Sequence, residues 1–206
     1  PGTFRILPTS GPVRSPTTAV QPFSHADEQA GPGWYNVTFA HTGIRVQLAV
    51  ALRSGLGRFT FPIGAAANLL FNVSSNQAGV TAAHFRVDGP RQVSGSATGG
   101  AFCGAPDTYT VYFAARFNRP MSAFGTWHNG KLTPGAAQVR GINSGGWVTF
   151  KTGNARSVEM EVALSYVSRA DALANLRAAP DQWRLAALAP ARDPDLERHV
   201  GENPHH

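Results

Sequence analysis

A single cysteine, Cys103, stands among 206 residues. One cysteine excludes an internal disulfide framework and a zinc site built from several thiolates, and it leaves the redox compartment open. It follows Phe102 in a Gly-rich turn, where a lone thiol reads as a small buried hydrophobe rather than as a nucleophile. Charge is also scarce, at 15% of residues, and the net +6 comes almost wholly from scattered arginines. No run of five or more basic residues occurs, so a nucleic-acid-binding face is not indicated. No apolar run approaches the ~20 residues of a membrane span. There is no phosphate loop, no nucleophile elbow and no dinucleotide fingerprint. The chain begins at Pro1 without a methionine or a signal-peptide pattern, and so reads as a processed protein or a piece of a longer one.

Glycine and proline are plentiful, at 22 and 15 residues, and 42% of the chain is hydrophobic. That suits one sizeable core made of many short strands and turns rather than long helices. The clearest alternation is IRVQLAVAL, residues 44–52. Ile44, Val46, Leu48, Val50 and Leu52 fall on one face and Arg45, Gln47, Ala49 and Ala51 on the other. An aromatic and β-branched run, residues 34–39, precedes it across His41-Thr42-Gly43, and a third strand, residues 58–61, ends at Pro62. Further strands are predicted at residues 68–74, 84–87, 108–117, 146–151 and 158–166. Residues 91–98 read as a polar strand at an edge or solvent face, and residues 4–7 as a short edge strand. Residues 121–135 read as irregular. From residue 169 alanine and leucine recur at helical spacing, with Ser168 as N-cap and Pro180 dividing two helical pieces. About eight to ten strands at roughly ten-residue spacing, followed by a helix, predict an all-β antiparallel β-sandwich with a short C-terminal helical segment. The division is a sandwich over residues 1–168 and a helical linker and tail over residues 169–206.

The densest cluster of titratable groups is the loop FSHADE, which holds His25, Asp27 and Glu28. A histidine beside two acids suits a metal site or an acid–base pair. The same residues also suit a loop that satisfies backbone groups and caps a turn. Trp34 and Trp147 sit inside strand patterns and read as packing, whereas Trp127, beside His128 in a Gly-flanked stretch, reads as the better candidate for an exposed face against a sugar ring. Only 12 acids are present, and no two sit as the opposed carboxylates that glycoside hydrolysis needs.

Several segments together resemble one family. FSHADEQAGPGWYNV is similar to the "FSH-x-x-E-x-A-x-PGYY-x-V" signature of the N-terminal domain of the α-mannosidases of glycoside hydrolase family 92. IRVQLAVALRSGLGRFTFP resembles its strand–turn–strand ending in "RYTFP". SGSATGGAFCG, TYTVYFAARFNRP, FGTW and VALSYVSRADALANL follow in the family's order. The resemblance implies a galactose-mutarotase-like sandwich that packs on a larger (α/α)6 barrel in a secreted or periplasmic enzyme acting on mannose-containing glycans. The acid, the base and a calcium ion are expected in that absent barrel, so this chain is expected to hold no catalytic residue, no metal and no cofactor. By position, Ser24, His25, Glu28 and Tyr35 match the signature, and Arg58 matches the arginine before "YTFP". These five, with Trp127 and His128, are the candidates for substrate binding or interdomain contact. The expected partners are the chain's own C-terminal catalytic domain and mannose glycans, with no nucleic acid and no membrane span. The isolated sandwich is also expected to expose an apolar patch where the barrel would sit. The alternative is a free-standing carbohydrate-binding module, favoured by tryptophans on a sandwich scaffold.

Overall fold

A computed structural model describes residues 3–179 except residue 53. These residues form fourteen strands in two antiparallel sheets, three single 3-10 turns and one α-helix. The smaller sheet takes β1 (Arg5–Ser10), β6 (Ala67–Asn72), β13 (Ser144–Phe150), β10 (Ala123–His128) and β11 (Lys131–Pro134), in that order. The larger sheet begins at one edge with β12 (Gln138–Arg140), β7 (Ala82–Gly89), β8 (Gln92–Gly100), β9 (Thr108–Phe117) and β14 (Ser157–Ser165). It continues through β5 (Ser54–Thr60), β4 (Ile44–Val50), β3 (Trp34–Phe39) and β2 (Glu28–Gly31). This is the predicted antiparallel sandwich, with β1 at the predicted edge.

The inner faces meet through the alternating apolar rows. Ile44, Val46 and Phe59 of the large sheet pack with Leu69, Phe71 and Val148 of the small one. Phe71 is the hub: its ring stacks on Phe113 at 6.0 Å between centroids and meets Phe85 and Phe117 at 5.6 and 6.3 Å. Burying one such ring contributes about 1.5–3 kcal/mol. The rings fit because β13 opens with Ser-Gly-Gly. A Cβ on Gly146 would lie 2.0 Å from the Phe85 ring, and one on Gly145 would lie 2.3 Å from the Phe71 carbonyl. Gly146→Ala is therefore expected to destabilise the fold by about 1–3 kcal/mol through overpacking. Urea denaturation checks it, and an unchanged midpoint would show that the core yields more than its packing implies.

The helix α1 (Arg169–Ala178) begins as predicted, with the Ser168 hydroxyl accepting from the Asp171 amide at 3.0 Å. It lies on the outer face of the large sheet, where Ala172 and Leu176 bury against Ala114 and Ala163. The second helical piece predicted beyond Pro180 lies outside the described residues.

Three local expectations are corrected. Residues 121–135 are not irregular but form the hairpin β10–β11. His128 pairs with Lys131, and the two loop residues, Asn129 and Gly130, take φ of 50° and 78°. An Asn-Gly pair is the sequence preferred for such a loop, since both positions need positive φ. β8 is not an edge strand but runs through the large sheet between β7 and β9, with Val93, Ser94, Gly95 and Ala97 buried. Its small residues are there because rings and a helix press on it: a Cβ on Gly95 would meet Phe113 at 2.5 Å. Cys103 is exposed rather than buried. Its backbone sits at φ 53° in the loop after β8, outside the sandwich core.

Candidate functional site

The apolar row of β4 does not stay in the core. Ile44 and Val46 are buried, but Leu48, Val50 and Leu52 are 38%, 63% and 95% exposed. Leu164, Tyr166 and Val167, at the end of β14 and just after it, are exposed beside them, and Tyr109 of β9 meets Tyr166 at 6.2 Å between ring centroids. These residues belong to the inner-face row of the large sheet and the turn that follows it, where the small sheet does not cover them. Two open grooves of about 390 and 980 Å³ follow this strip and share Phe4, Ile6, Val50, Gly55 and Val162. Together they form one continuous apolar trough, larger than the scattered exposed apolar residues a soluble surface normally carries.

At the rim of the 390 Å³ groove stand Phe23 and Tyr35, and with them the FSHADE loop. Its geometry comes from a capping box. The Ser24 amide and hydroxyl donate to Asp27 Oδ2 at 3.1 and 2.8 Å, and the Asp27 amide donates to the Ser24 carbonyl at 2.9 Å. These bonds hold the Asp27 carboxyl below its usual range, the Ser24 hydroxyl first and its amide second. The single turn His25–Asp27 so fixed swings His25 over β2, where its Nδ1 meets Glu28 Oε1. The Tyr35 hydroxyl donates to Glu28 Oε2 at 2.5 Å. The Tyr35 bond, followed by that from His25, holds the Glu28 carboxyl below its usual range. Burial first, and then Glu28, push Tyr35 up to about 12. The His25 side chain is 99% exposed and that of Glu28 22%, so the imidazole is the group offered outward and Glu28 is its anchor.

Two consequences follow for pH. Glu28 titrates low in the folded state, so its contribution to stability is present above the ordinary glutamate range and is lost as pH falls through its lowered value. Tyr35 titrates high, so its contribution is present below pH 10 and lost as pH rises through about 12. In an ultraviolet titration Tyr35 is expected to ionise at about 12, and Glu28→Gln is expected to bring it part of the way back toward the ordinary tyrosine value. A Tyr35 transition near 10 in the unaltered chain would show both the burial of the ring hydroxyl and its bond to Glu28 to be absent in solution.

The remaining candidates lie elsewhere. Arg58 points to the outer face of the large sheet, where it pairs with Glu159 at 2.6 Å, beside a second pair between Arg116 and Glu161. Gly57 and Phe59, its neighbours, face the core side, so Arg58 is separated from the trough by the sheet. Trp127 is corrected from an exposed to a buried position: it is 1% exposed and packs with Leu70 and Trp147 under Val13 and Ala19 of the N-terminal segment. Its glycine neighbours serve packing, since a Cβ on Gly145 would meet the Trp127 ring at 2.2 Å. His128 is exposed at the β10–β11 turn, in the other sheet from the FSHADE loop. The structure thus brings His25, Glu28 and Tyr35 together and leaves Arg58, Trp127 and His128 apart. Residue-by-residue reading misses Leu48, Val50, Leu52 and Leu164. The available signal is that the apolar row of β4 outlasts the strand itself.

Chemically, Glu28 is a single carboxylate with both oxygens engaged, so it does not supply the opposed pair of a glycosidase. Among the described residues, no three or more His, Cys, Asp or Glu side chains gather as a metal site would need. No helix among them is long and apolar enough to cross a membrane.

The comparisons with known proteins agree with this architecture. The family model "Glycosyl hydrolase family 92 N-terminal domain" matches residues 1–165. The fold is similar to that of the inverting mannosidase BT2199 of Bacteroides thetaiotaomicron, with a TM-score of 0.78 at 22% identity over 90% of this chain and 24% of that one. It is similar as well to the α-mannosidase BT3965 of the same organism, with a TM-score of 0.79 at 20% identity over 90% of this chain and 27% of that one. The family 92 glycosyl hydrolase ccman5 aligns at 28% identity with a TM-score of 0.76, over 90% of this chain and 26% of its own. The chain therefore spans about a quarter of the length of these structures. No curated protein sequence matches it. The family model covers most of the chain, and on that match the chain belongs to the glycosyl hydrolase family 92 N-terminal domains.

Proposed function

We propose that this chain is the non-catalytic N-terminal sandwich of an α-mannosidase, packing on an (α/α)6 catalytic domain and forming one wall of the substrate pocket. What carries the reading is the apolar trough with the outward His25 imidazole at its rim. Apolar area of this kind is stabilised by a second surface, and the imidazole beside it suits a hydrogen bond to a sugar hydroxyl. The acid, the base and the calcium ion belong to the catalytic domain, and the substrate is a mannose-containing glycan met outside the cytoplasm. His25, held by Glu28 and Tyr35, contacts substrate or the facing domain.

The test is an assay of the isolated chain, and of the chain combined with the separately produced C-terminal region of its own protein, on an α-mannoside with calcium. The chain alone is expected to give no turnover, and the combination is expected to restore it. Turnover by the chain alone would overturn the reading. Titration with mannobiose under tryptophan fluorescence separates it from a free-standing binding module. Silence is expected, because the chain supplies only one wall of the pocket and does not hold the sugar without the facing domain.

A further inference from the structure

The outer face of the large sheet carries a second cluster, on the far side of the sheet from the trough. β7 turns His84 and Arg86 outward because Ala83, Phe85 and Val87 take the core side. Arg140 on the edge strand β12 stands directly opposite His84, and Ser96 of β8 flanks it on the other side. Arg169, the first residue of α1, reaches over the same rows. Its Nε donates to Ser94 Oγ at 2.7 Å and its terminal nitrogen pairs with Asp88 Oδ1. Arg86 Nε meets the same Asp88 oxygen at 3.2 Å. The Asp88 side chain is 5% exposed, so it is an interior anchor that orients two guanidiniums. Arg140 forms no ion pair among the described residues.

Three guanidiniums thus gather around one imidazole, with one carboxylate to balance them. Burial first, then Arg140, Arg169 and Arg86, hold His84 below its ordinary pKa, against a hydrogen bond with Gln138. Its Nε2 is buried without a hydrogen-bond partner. Crowded like charges and an unpaired buried ring nitrogen both cost free energy. The first cost falls when an anion sits over the guanidiniums; the ring nitrogen is sealed beneath them and takes no part in that contact.

We propose that this cluster binds a tetrahedral oxyanion, a phosphate or sulfate group, between the Arg140 and Arg86 guanidiniums on the outer face over the His84 ring, with the Ser96 hydroxyl at its margin. Guanidinium forks match the oxygen spacing of such a group. Arg169 and Asp88 hold the cluster in place and are not ligands. The proposal is independent of the mannosidase reading, since it requires neither sugar nor a second domain.

Calorimetric titration of the chain with inorganic phosphate, at ionic strength held constant with chloride, tests it. Saturable binding is expected, and Arg140→Gln is expected to weaken it about tenfold or more, the loss of one charge-assisted hydrogen-bonded contact. The His84 ring resonances should move along the same saturation curve. Arg45→Gln, on the same face of β4 far from the cluster, should leave binding unchanged. Arg140 is exposed on an edge strand, so its variant is expected to melt as the parent does. A parallel titration with methyl phosphate separates an esterified phosphate from the free ion, whichever binds more tightly, and binding of either supports the site. No saturable binding of either over chloride, equal binding by Arg140→Gln, or unmoved His84 resonances would overturn the proposal.

Discussion

Leu52→Asp is expected to leave the sandwich as stable as before and to abolish most of its affinity for the proposed catalytic domain. Leu52 is 95% exposed just past the end of β4, and substitutions at such positions usually change stability by no more than ~0.5 kcal/mol. In the proposed interface the same side chain is covered. Burying a leucine contributes about 1.5–3 kcal/mol, and a carboxylate in its place must be desolvated without a partner. The loss is therefore about 30-fold in affinity or more. The measurement is a titration of the two separately produced pieces, with thermal melting of the sandwich alone as the control. Val50→Asp, the preceding position of the same row and 63% exposed, should act in the same way. If both variants bind the partner region as tightly as the parent, the trough is not the interface. His25→Ala distinguishes docking from substrate contact at the rim: lost affinity between the pieces marks the first, and a raised KM with affinity intact marks the second.

Phe71→Ala is expected to have the largest effect on the fold itself, a loss of about 3–5 kcal/mol. The ring is 1% exposed and touches three rings of the opposite sheet: Phe85 on β7, Phe113 and Phe117 on β9. Its removal leaves a void whose walls are themselves stiff aromatic rings on paired strands, so the site cannot collapse to fill it. A chain of this size has a total stability of about 5–15 kcal/mol, so the variant sits near its unfolding threshold. Denaturant unfolding should show a much lower midpoint with an unchanged slope. A loss below ~1 kcal/mol would mean that the two sheets do not depend on this ring for their contact. Gly146→Ala perturbs the same neighbourhood from the other direction, by adding volume beside Phe85, and the two changes are close enough that their costs should not add.

The FSHADE segment illustrates how far local chemistry can be read without coordinates. Ser24 and Asp27 are three apart, the spacing of a capping box, and so the turn is legible as one of the open readings. The link from Glu28 to Tyr35 depends on how β2 and β3 lie side by side, Ala30 against Tyr35 and Glu28 against Val37, and no spacing along the chain states that register. The Asn129-Gly130 pair is a hairpin signal in its own right, but the strands on either side are too brief to alternate visibly. Trp127 misleads for a related reason. A tryptophan among glycines has the composition of a loop, but glycine is also what a strand uses when a ring must lie across its neighbour.

By itself the amino-acid order determined the sandwich class, the edge position of β1 and the capped helix at Ser168, and it offered the pairing of His25 with a loop acid as one open reading. Each of these rests on alternation or on groups within a few residues of one another. Only the tertiary structure decided which apolar rows are covered. Ile44 and Leu52 belong to one alternating row, yet the first is buried and the second stands in water. That difference is set by where the smaller sheet ends, which depends on contacts between residues far apart in the chain. The same holds for the convergence of Arg86, Arg140 and Arg169 on His84, since three separate elements must be folded before their charges can be felt together.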